Sequence, residues 1–386
     1  MKKKSLKIAI APDSFKGNMT SMQAATLIES GLKKAIPGAS FVKIPVADGG
    51  EGTVQAIVES TGGKFVKRKV SGPRGDKRMA RFGISGDGKT AIMEMAEASG
   101  LALLEPRKQN PLKTSTIGTG QMIKAALDLG VKKILIGIGG SATNDCGMGM
   151  ARALGAKFLD SKGRQIKDCG GALKDLASID VSGLDKRLKK VSVEVACDVD
   201  NPLTGRKGAS YVYGPQKGAT PEMVKQLDAS LKLTAKIIKR DLGVDILRVP
   251  GSGAAGGLGG GLMAFVGGIL RPGVDIVMDC VQLEKRIKGC DLVITGEGSM
   301  DGQTVYGKTP VGVAKRAKKQ GLPVIAICGR LGPGVHKVLR AGIDAYTATL
   351  EFSIKRPENI PILGPVFIEH KAEQVGRILM IGKELK

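Results

Sequence analysis

The chain has 386 residues, 60 Lys and Arg against 36 Asp and Glu, a formal net charge of +24 and only 3% aromatic residues with no Trp. That length predicts two domains or one large one, with ample core, and the most apolar stretch, residues 251–270, is mostly glycine and alanine, which excludes a membrane span there. Basic residues are scattered over amphipathic helices and stacking aromatics are scarce, so the charge reads as an attractor of anionic metabolites and nucleic acid is not an expected partner.

In chain order, a strand at 7–11 precedes a helix at 21–35, in which Ala24, Leu27, Ile28, Gly31 and Leu32 form one face behind a Thr20 or Ser21 cap. A strand at 41–46 and a helix at 53–60 complete a βαβα start, which predicts a parallel sheet. From 64 the rhythm changes. Segments 65–70, 79–84 and 90–95 are short strands joined by SGPRGDK and SGDGK turns, the pattern of antiparallel pairing. A helix at 120–129, a strand at 133–138, a helix at 147–154, a strand at 191–196 and a long helix after Pro221 follow. Strands at 292–295, 323–327 and 345–349 restore the βα rhythm, with helices starting near Val311 and Gly334.

Two early and three late strands make the five of a flavodoxin-like sheet. The expected architecture is therefore α/β: a flavodoxin-like parallel-sheet domain of residues 1–64 plus 290–386, interrupted by an inserted mixed α/β domain of residues 65–289. The start, MKKKSLKIAIAPDSFK, has an apolar piece too short for a signal peptide. Six cysteines without a C-x-x-C pair fit a reducing compartment, so a cytoplasmic protein is expected.

Five apolar runs end in loops of glycine with carboxylates or amides: PDSFKG at 12–17, ADGGEGT at 47–53, GGSATND at 139–145, CDVDNPLTG at 197–205 and GEGSMDGQT at 296–304. Glycine lets backbone amides approach a phosphate, while carboxylates beside it suit Mg²⁺, a general base or a substrate hydroxyl. That is the inventory of phosphoryl transfer. With two histidines, acid–base work falls to Asp, Glu or Lys. Asp13 and Lys16 leave the first strand; a capping Asp and a solvated Lys are the alternative. Asp48 and Glu51 flank Gly49 and Gly50. Ser141, Thr143, Asn144 and Asp145 could cradle phosphate and hold Mg²⁺. Asp198 and Asp200 point the same way in extended chain, although DxDNP is also a plain Asx-turn sequence. Glu297 and Asp301 stand at a third strand end.

Two patterns invite a shortcut. GQTVYGKT at 302–309 fits the P-loop pattern, but GEGSMD separates it from the strand, and Pro310 makes Thr309 the start of a helix. Lys308 remains a candidate anion contact. GSGAAG at 251–256 fits a dinucleotide fingerprint, yet a proline precedes it and no βα start is visible, so a glycine-rich turn into a tightly packed helix is the plainer expectation.

Taken together, APDSFKG, PVADGGEGT, GIGGSATND, EVACDVDNPLTG, YGPQKGAT, GAAGGLG and ITGEG with DGQT and GK downstream resemble the bacterial type-1 glycerate kinase family, from Ile8 to about Ile343. The resemblance implies transfer of the ATP γ-phosphoryl group to D-glycerate with Mg²⁺, usually at the 2-hydroxyl. It also implies an insert of restriction-endonuclease-like fold and an interdomain cleft as active site, hence domain closure. Carried over, Asp13, Ser14 and Lys16 match the first motif; Asp48, Gly49, Gly50 and Glu51 the second; Asn144 and Asp145 the third; Asp198 and Asp200 the fourth; Glu297 and Asp301 the last. Ser299 stands where the family often has Arg, and Cys146 replaces a usual glycine.

The expected roles are then catalytic for Lys16, Asp48 and Asp198, with Asp198 or Asp48 as proton acceptor. Mg²⁺ bridges ATP phosphates and carboxylates of the second, third or fourth loop, with Asp145 and Asp200 as its named ligands. Asp13, Ser14, Gly49, Gly50, Glu51, Ser141, Asn144, Glu297, Asp301 and Lys308 are expected to bind substrate or nucleotide. Phosphorylation of the 3-hydroxyl, or of a related small hydroxy acid, stays open. A nicotinamide-dependent oxidoreductase resting on GSGAAG and a sugar-acid sensor or nucleic-acid binder resting on the charge are more remote. The oligomeric state is open, a homodimer being one option.

Overall fold

In the computed structural model, which describes residues 5–50, 52–350 and 360–385, the strands Lys7–Pro12, Ser40–Lys43, Leu292–Gly296, Val324–Cys328 and Ala345–Ala348 form one parallel sheet. Numbered within this sheet in chain order, they lie 2-1-3-4-5 across it. The central strands read KIAIAP and LVITG, apolar at almost every position and buried, as a parallel sheet covered on both faces requires. The second strand stops at Lys43, short of the expected 46. Ile44 and Val46 still donate backbone hydrogen bonds to Ile10 and Pro12; Pro45 between them has no N–H to give.

This sheet belongs to a unit of Met1–Gly62 and Val274–Lys386, and Gly63–Gly273 form a second unit. The return to the first unit therefore comes earlier in the chain than the expected 290. From Val274 onward, helices Gly273–Cys280 and Leu283–Ile287 belong to the first unit, where Arg316, 11% exposed, binds carboxylates on both: Asp275 at 3.0 Å, Asp279 at 2.6 Å and Glu284 at 2.6 Å. A guanidinium matched to three carboxylates is a tertiary tie that no local pattern announces.

Within the first unit, helix Ser21–Ala35 starts in a capping box, Thr20 with Gln23, and buries Ala24, Ala25, Ile28 and Leu32. It packs on helix Ile360–Glu384 at Gly31, where a Cβ would stand 2.0 Å from the Glu369 carbonyl oxygen. Only glycine permits that approach. Ile8, Ile10, Ile294, Ile327 and Ile368 complete the core of this unit.

The second unit is built on a six-stranded mixed sheet, in spatial order Ile269–Arg271, Ser192–Ala196, Lys133–Gly137, Thr90–Glu94, Lys77–Ile84 and Lys64–Ser71. Its last three strands pair antiparallel through turns at Gly75 and Gly88, both at positive φ. The others run parallel. Strand Ile269–Arg271 is absent from the sequence reading, being three residues long and preceded by two glycines. Phe158 and Phe265 meet edge to face at 5.5 Å in this unit's core. Among the described residues no helix is long and apolar enough to cross a membrane, and all six cysteines are free thiols.

Candidate active site

Strands Lys7–Pro12 and Leu292–Gly296 are neighbours in register, and their last pair is Pro12 with Gly296. Asp13 and Glu297 are the next residues on each, and Asp13 N donates to Gly296 O at 2.8 Å. The two carboxyls thus stand side by side at the carboxyl edge of the sheet, where open α/β folds bind ligands. Asp13 is 5% exposed and Glu297 9%.

Each carboxyl is held by a threonine. Thr309 Oγ1 donates to Asp13 Oδ2 at 2.5 Å, and the Ser14 amide to Asp13 Oδ1 at 2.6 Å. Thr304 Oγ1 donates to Glu297 Oε1 at 2.8 Å; Glu297 Oε2 has no hydrogen-bond partner among the described residues. Burial pushes the Asp13 carboxyl up to about 6, with Thr309 opposing and the Asp48 charge adding to the rise. Burial likewise pushes Glu297 up to about 7; Thr304 and Lys308 oppose, while Asp13 and Asp301 add. Two neighbouring carboxyls raised towards neutrality are a pattern of functional sites.

Both line a cavity of about 470 Å³, shared with Asp48 and three cationic side chains, Lys16, Lys308 and Arg330. Lys16 Nζ lies 3.5 Å from Asp48 Oδ2, and Gly50 N donates to Asp48 Oδ1 at 3.0 Å. Gly49 is buried at φ 95, so the loop needs glycine there. Glu51 lies outside the described residues. A hollow of about 300 Å³ shares Ser14, Lys16 and Asn18 with the cavity but is otherwise lined by uncharged side chains, among them Thr20 and Gln55. The ionisable chemistry is in the larger one.

The GKT segment is no P-loop. The strand before it, Ser299–Met300, has two residues, and Thr309 opens helix Thr309–Lys318 with Pro310 in its first turn. Lys308 is nevertheless at the cavity wall, 3.8 Å from Asp301 Oδ1, and Gln303 N donates to Asp301 Oδ1 at 2.8 Å.

In the second unit most of the GGSATND loop is buried. Asp145 is fully buried: Thr116 N and Oγ1 donate to Oδ2 at 2.8 Å each, Gly149 N to Oδ2 and Gly147 N to Oδ1 at 3.2 Å each. Burial raises its carboxyl above the usual range even so. Buried and holding four donors, Asp145 fastens the chain in this part of the second unit. Ser141 Oγ pairs with Thr143 Oγ1 at 3.0 Å, and Asn144 Nδ2 donates to Ser210 Oγ at 3.2 Å. Their polar ends are spent on the fold, and only Gly139 and Gly140 of this loop are exposed. Cys146, in a glycine's place, takes φ 53, a left-handed conformation that costs an L-residue.

Lys217, 2% exposed, holds the same loop. Its Nζ donates to Thr143 O at 2.7 Å, and burial brings the ammonium down to about 7 against the opposing pull of Asp145. Asp198 and Asp200 are exposed, and Gly273 N donates to Asp198 Oδ1 at 2.9 Å. Among the described residues no group of three or more His, Cys, Asp or Glu is arranged to hold a metal. GSGAAG leads from turn into helix Ala254–Val266, and a Cβ on Gly256 would fall 2.0 Å from Thr143 O. Its glycines serve close packing, with no strand before them to build a dinucleotide turn.

Sequence reading passed over Arg330, Thr304 and Lys217. Arg330 follows the strand Val324–Cys328, so the strand-end rule that picked out Asp13 would have found it. Its Nε donates to Ser299 Oγ at 2.9 Å. An arginine therefore reaches the serine that occupies the position where arginine was expected.

The profile of the "Glycerate kinase family" matches residues 8–380. Glycerate kinase of Bacillus subtilis (strain 168) is 52% identical over 372 residues, covering 96% of this chain and 95% of that one. Glycerate 2-kinase of Escherichia coli (strain K12) is 52% identical over 345 residues, 89% of this chain and 91% of its own. The crystal structure of a protein assigned as glycerate kinase 2 from Salmonella typhimurium LT2 superposes with a TM-score of 0.93 at 49% identity, over 99% of this chain and 100% of that one. With a family profile spanning nearly its whole length and relatives above half identity, the chain belongs to the glycerate kinase family.

Proposed function

We propose that this protein is an ATP-dependent glycerate kinase that transfers the γ-phosphoryl group to the 2-hydroxyl of D-glycerate. The observation that carries the reading beyond kinship is the cavity at the end of the parallel sheet. It presents Lys16, Lys308 and Arg330 together with Asp13 and Glu297. A small hydroxy acid needs both halves of that set: cations for its carboxylate and the transferring phosphoryl, and buried carboxyls for its hydroxyls. The preference for the 2-hydroxyl follows the relative named for that position.

Within this reading Lys16 neutralises the transferring group or the substrate carboxylate, and Asp48 holds Lys16 in place. Ser14, Gly49, Gly50, Asp301 and Lys308 shape the anion-binding wall. Mg²⁺ retains water and phosphate oxygens and asks for only one or two carboxylates. The exposed pair Asp198 and Asp200 suits that donor set better than the buried Asp145. When bound, the ion offsets phosphate charge. The buried loop of Ser141 and Asn144 is a scaffold, and its exposed Gly139 and Gly140 are left to meet phosphate. We read the first unit as flavodoxin-like, the second as restriction-endonuclease-like, and the cytoplasm as the place of work.

The test is ADP release by the purified protein with ATP and a panel of small hydroxy acids. D-glycerate should give the highest kcat/KM. Equal rates with all acids, or none with D-glycerate, would remove the reading.

A further inference from the structure

A kinase that phosphorylates an alcohol must remove its proton, and the cavity holds two differently equipped carboxyls. Both oxygens of Asp13 receive a donor, from Ser14 N and Thr309 Oγ1. Among the described residues only one oxygen of Glu297 does, from Thr304 Oγ1. Asp13 is thereby the better held anion. Glu297 Oε2 is left as the open acceptor at the cavity wall. Asp48, a half-exposed carboxylate, already faces the Lys16 ammonium. Asp198 Oδ1 already accepts the Gly273 amide.

We propose that Asp13 and Glu297 act as one acid–base unit, in which Glu297 Oε2 accepts the proton of the attacking hydroxyl while Asp13 is the fixed anion that sets its proton affinity. This rests on the glycerate kinase reading above and replaces Asp48 or Asp198 as the base. As the substrate oxygen bonds to the γ-phosphorus, its proton passes to Glu297. The bond from that phosphorus to the β,γ-bridging oxygen breaks, and ADP leaves with the electron pair. The proton on Glu297 then goes to solvent. Proton affinities near neutrality suit such a step. The charged and titratable groups that act on Glu297 are Asp13, Asp301 and Lys308, with the buried Cys328 thiol beside it; Asp48 and Lys16 act on Asp13.

The experiment compares wild type, Glu297→Gln and Asp13→Asn, each checked for cooperative unfolding. Wild-type turnover of D-glycerate tests the parent reading by itself. The base assignment is read from ratios and from ¹³C NMR titration of carboxyls, which needs no turnover. Glu297→Gln should lower kcat about 100-fold or more, on the scale of general-base catalysis, and remove a carboxyl that titrates near pH 7. Asp13→Asn should shift the acidic limb of the kcat/KM profile to lower pH, because a neighbouring negative charge is gone. A Glu297→Gln enzyme within threefold of wild type with an unchanged acidic limb overturns the proposal, as does a wild-type titration in which every carboxyl titrates below pH 5.

Discussion

Thr309 Oγ1 lies 2.5 Å from Asp13 Oδ2, joining the first loop of the chain to the start of a helix 296 residues later. The hydroxyl stabilises the ionised form of a carboxyl that burial disfavours. Thr309→Val deletes this donor with little change in shape. The states in which Asp13 is ionised then become less favourable, so the apparent proton affinities of the Asp13–Glu297 pair rise. The acidic limb of kcat/KM for D-glycerate should move to higher pH by up to about one unit. An unmoved limb in a folded variant contradicts this coupling.

Glu297 also carries a stability signature. Its folded value of about 7 lies above the ordinary 4.5, so the folded state binds the proton more tightly than the unfolded state does. The resulting contribution is complete below about pH 4.5 and is lost as pH rises through 7. Ionised Glu297 therefore weighs on the fold at pH 8 by about 3 kcal/mol, and glutamine removes that weight. Thermal unfolding of Glu297→Gln and wild type should show a melting-temperature difference that grows in favour of the variant from pH 5 to pH 8. A constant difference across that range would count against the buried pair.

Asp145 is expected to matter for the fold and not for Mg²⁺. In Asp145→Asn one oxygen can still receive the Thr116 donors, but the amide N–H₂ then faces the Gly147 N–H. Two opposed donors cost roughly 1–3 kcal/mol. Urea unfolding should show that loss, while the Mg²⁺ concentration for half-maximal activity stays unchanged at a temperature where the variant is folded. A many-fold rise in that concentration would restore Asp145 as a ligand.

At Gly31, an added Cβ meets the Glu369 carbonyl at 2.0 Å, a backbone atom that cannot swing away. Gly31→Ala should destabilise the first unit by about 1–3 kcal/mol through overpacking. Neither helix carries Asp13, Lys16, Asp48 or Glu297, so kcat below the new melting point should match wild type. Unchanged stability would mean that the two helices separate without cost.

How far the site was legible depends on where each side chain gets its role. Asp13 and Glu297 stand directly after apolar strands and Asp48 a little beyond the end of another, so the strand-end rule locates them with no tertiary knowledge. Gly-Lys-Thr at 307–309 matched a pattern, and only the missing strand and Pro310 warned that Thr309 opens a helix. Arg330 obeys the same rule as Asp13 but lacks the carboxylate-and-glycine signature that drew attention to the others. Thr143, Asn144 and Asp145 share that signature, yet Lys217, Ser210 and Thr116 consume their hydrogen bonds from distant parts of the chain. Spacing reports which groups share a loop; it does not report which of them remain open to a ligand. The ion pairs of Arg316 are equally hidden, since it must find Asp275, Asp279 and Glu284 in space.

The central claim, phosphorylation of D-glycerate at its 2-hydroxyl, is tested most directly by a ³¹P–¹H correlation spectrum of the product formed from ATP, Mg²⁺ and D-glycerate. The expected result is a new phosphate ester whose phosphorus couples to the single C2 methine proton. Coupling to the two C3 methylene protons, or no ester at all, would contradict it.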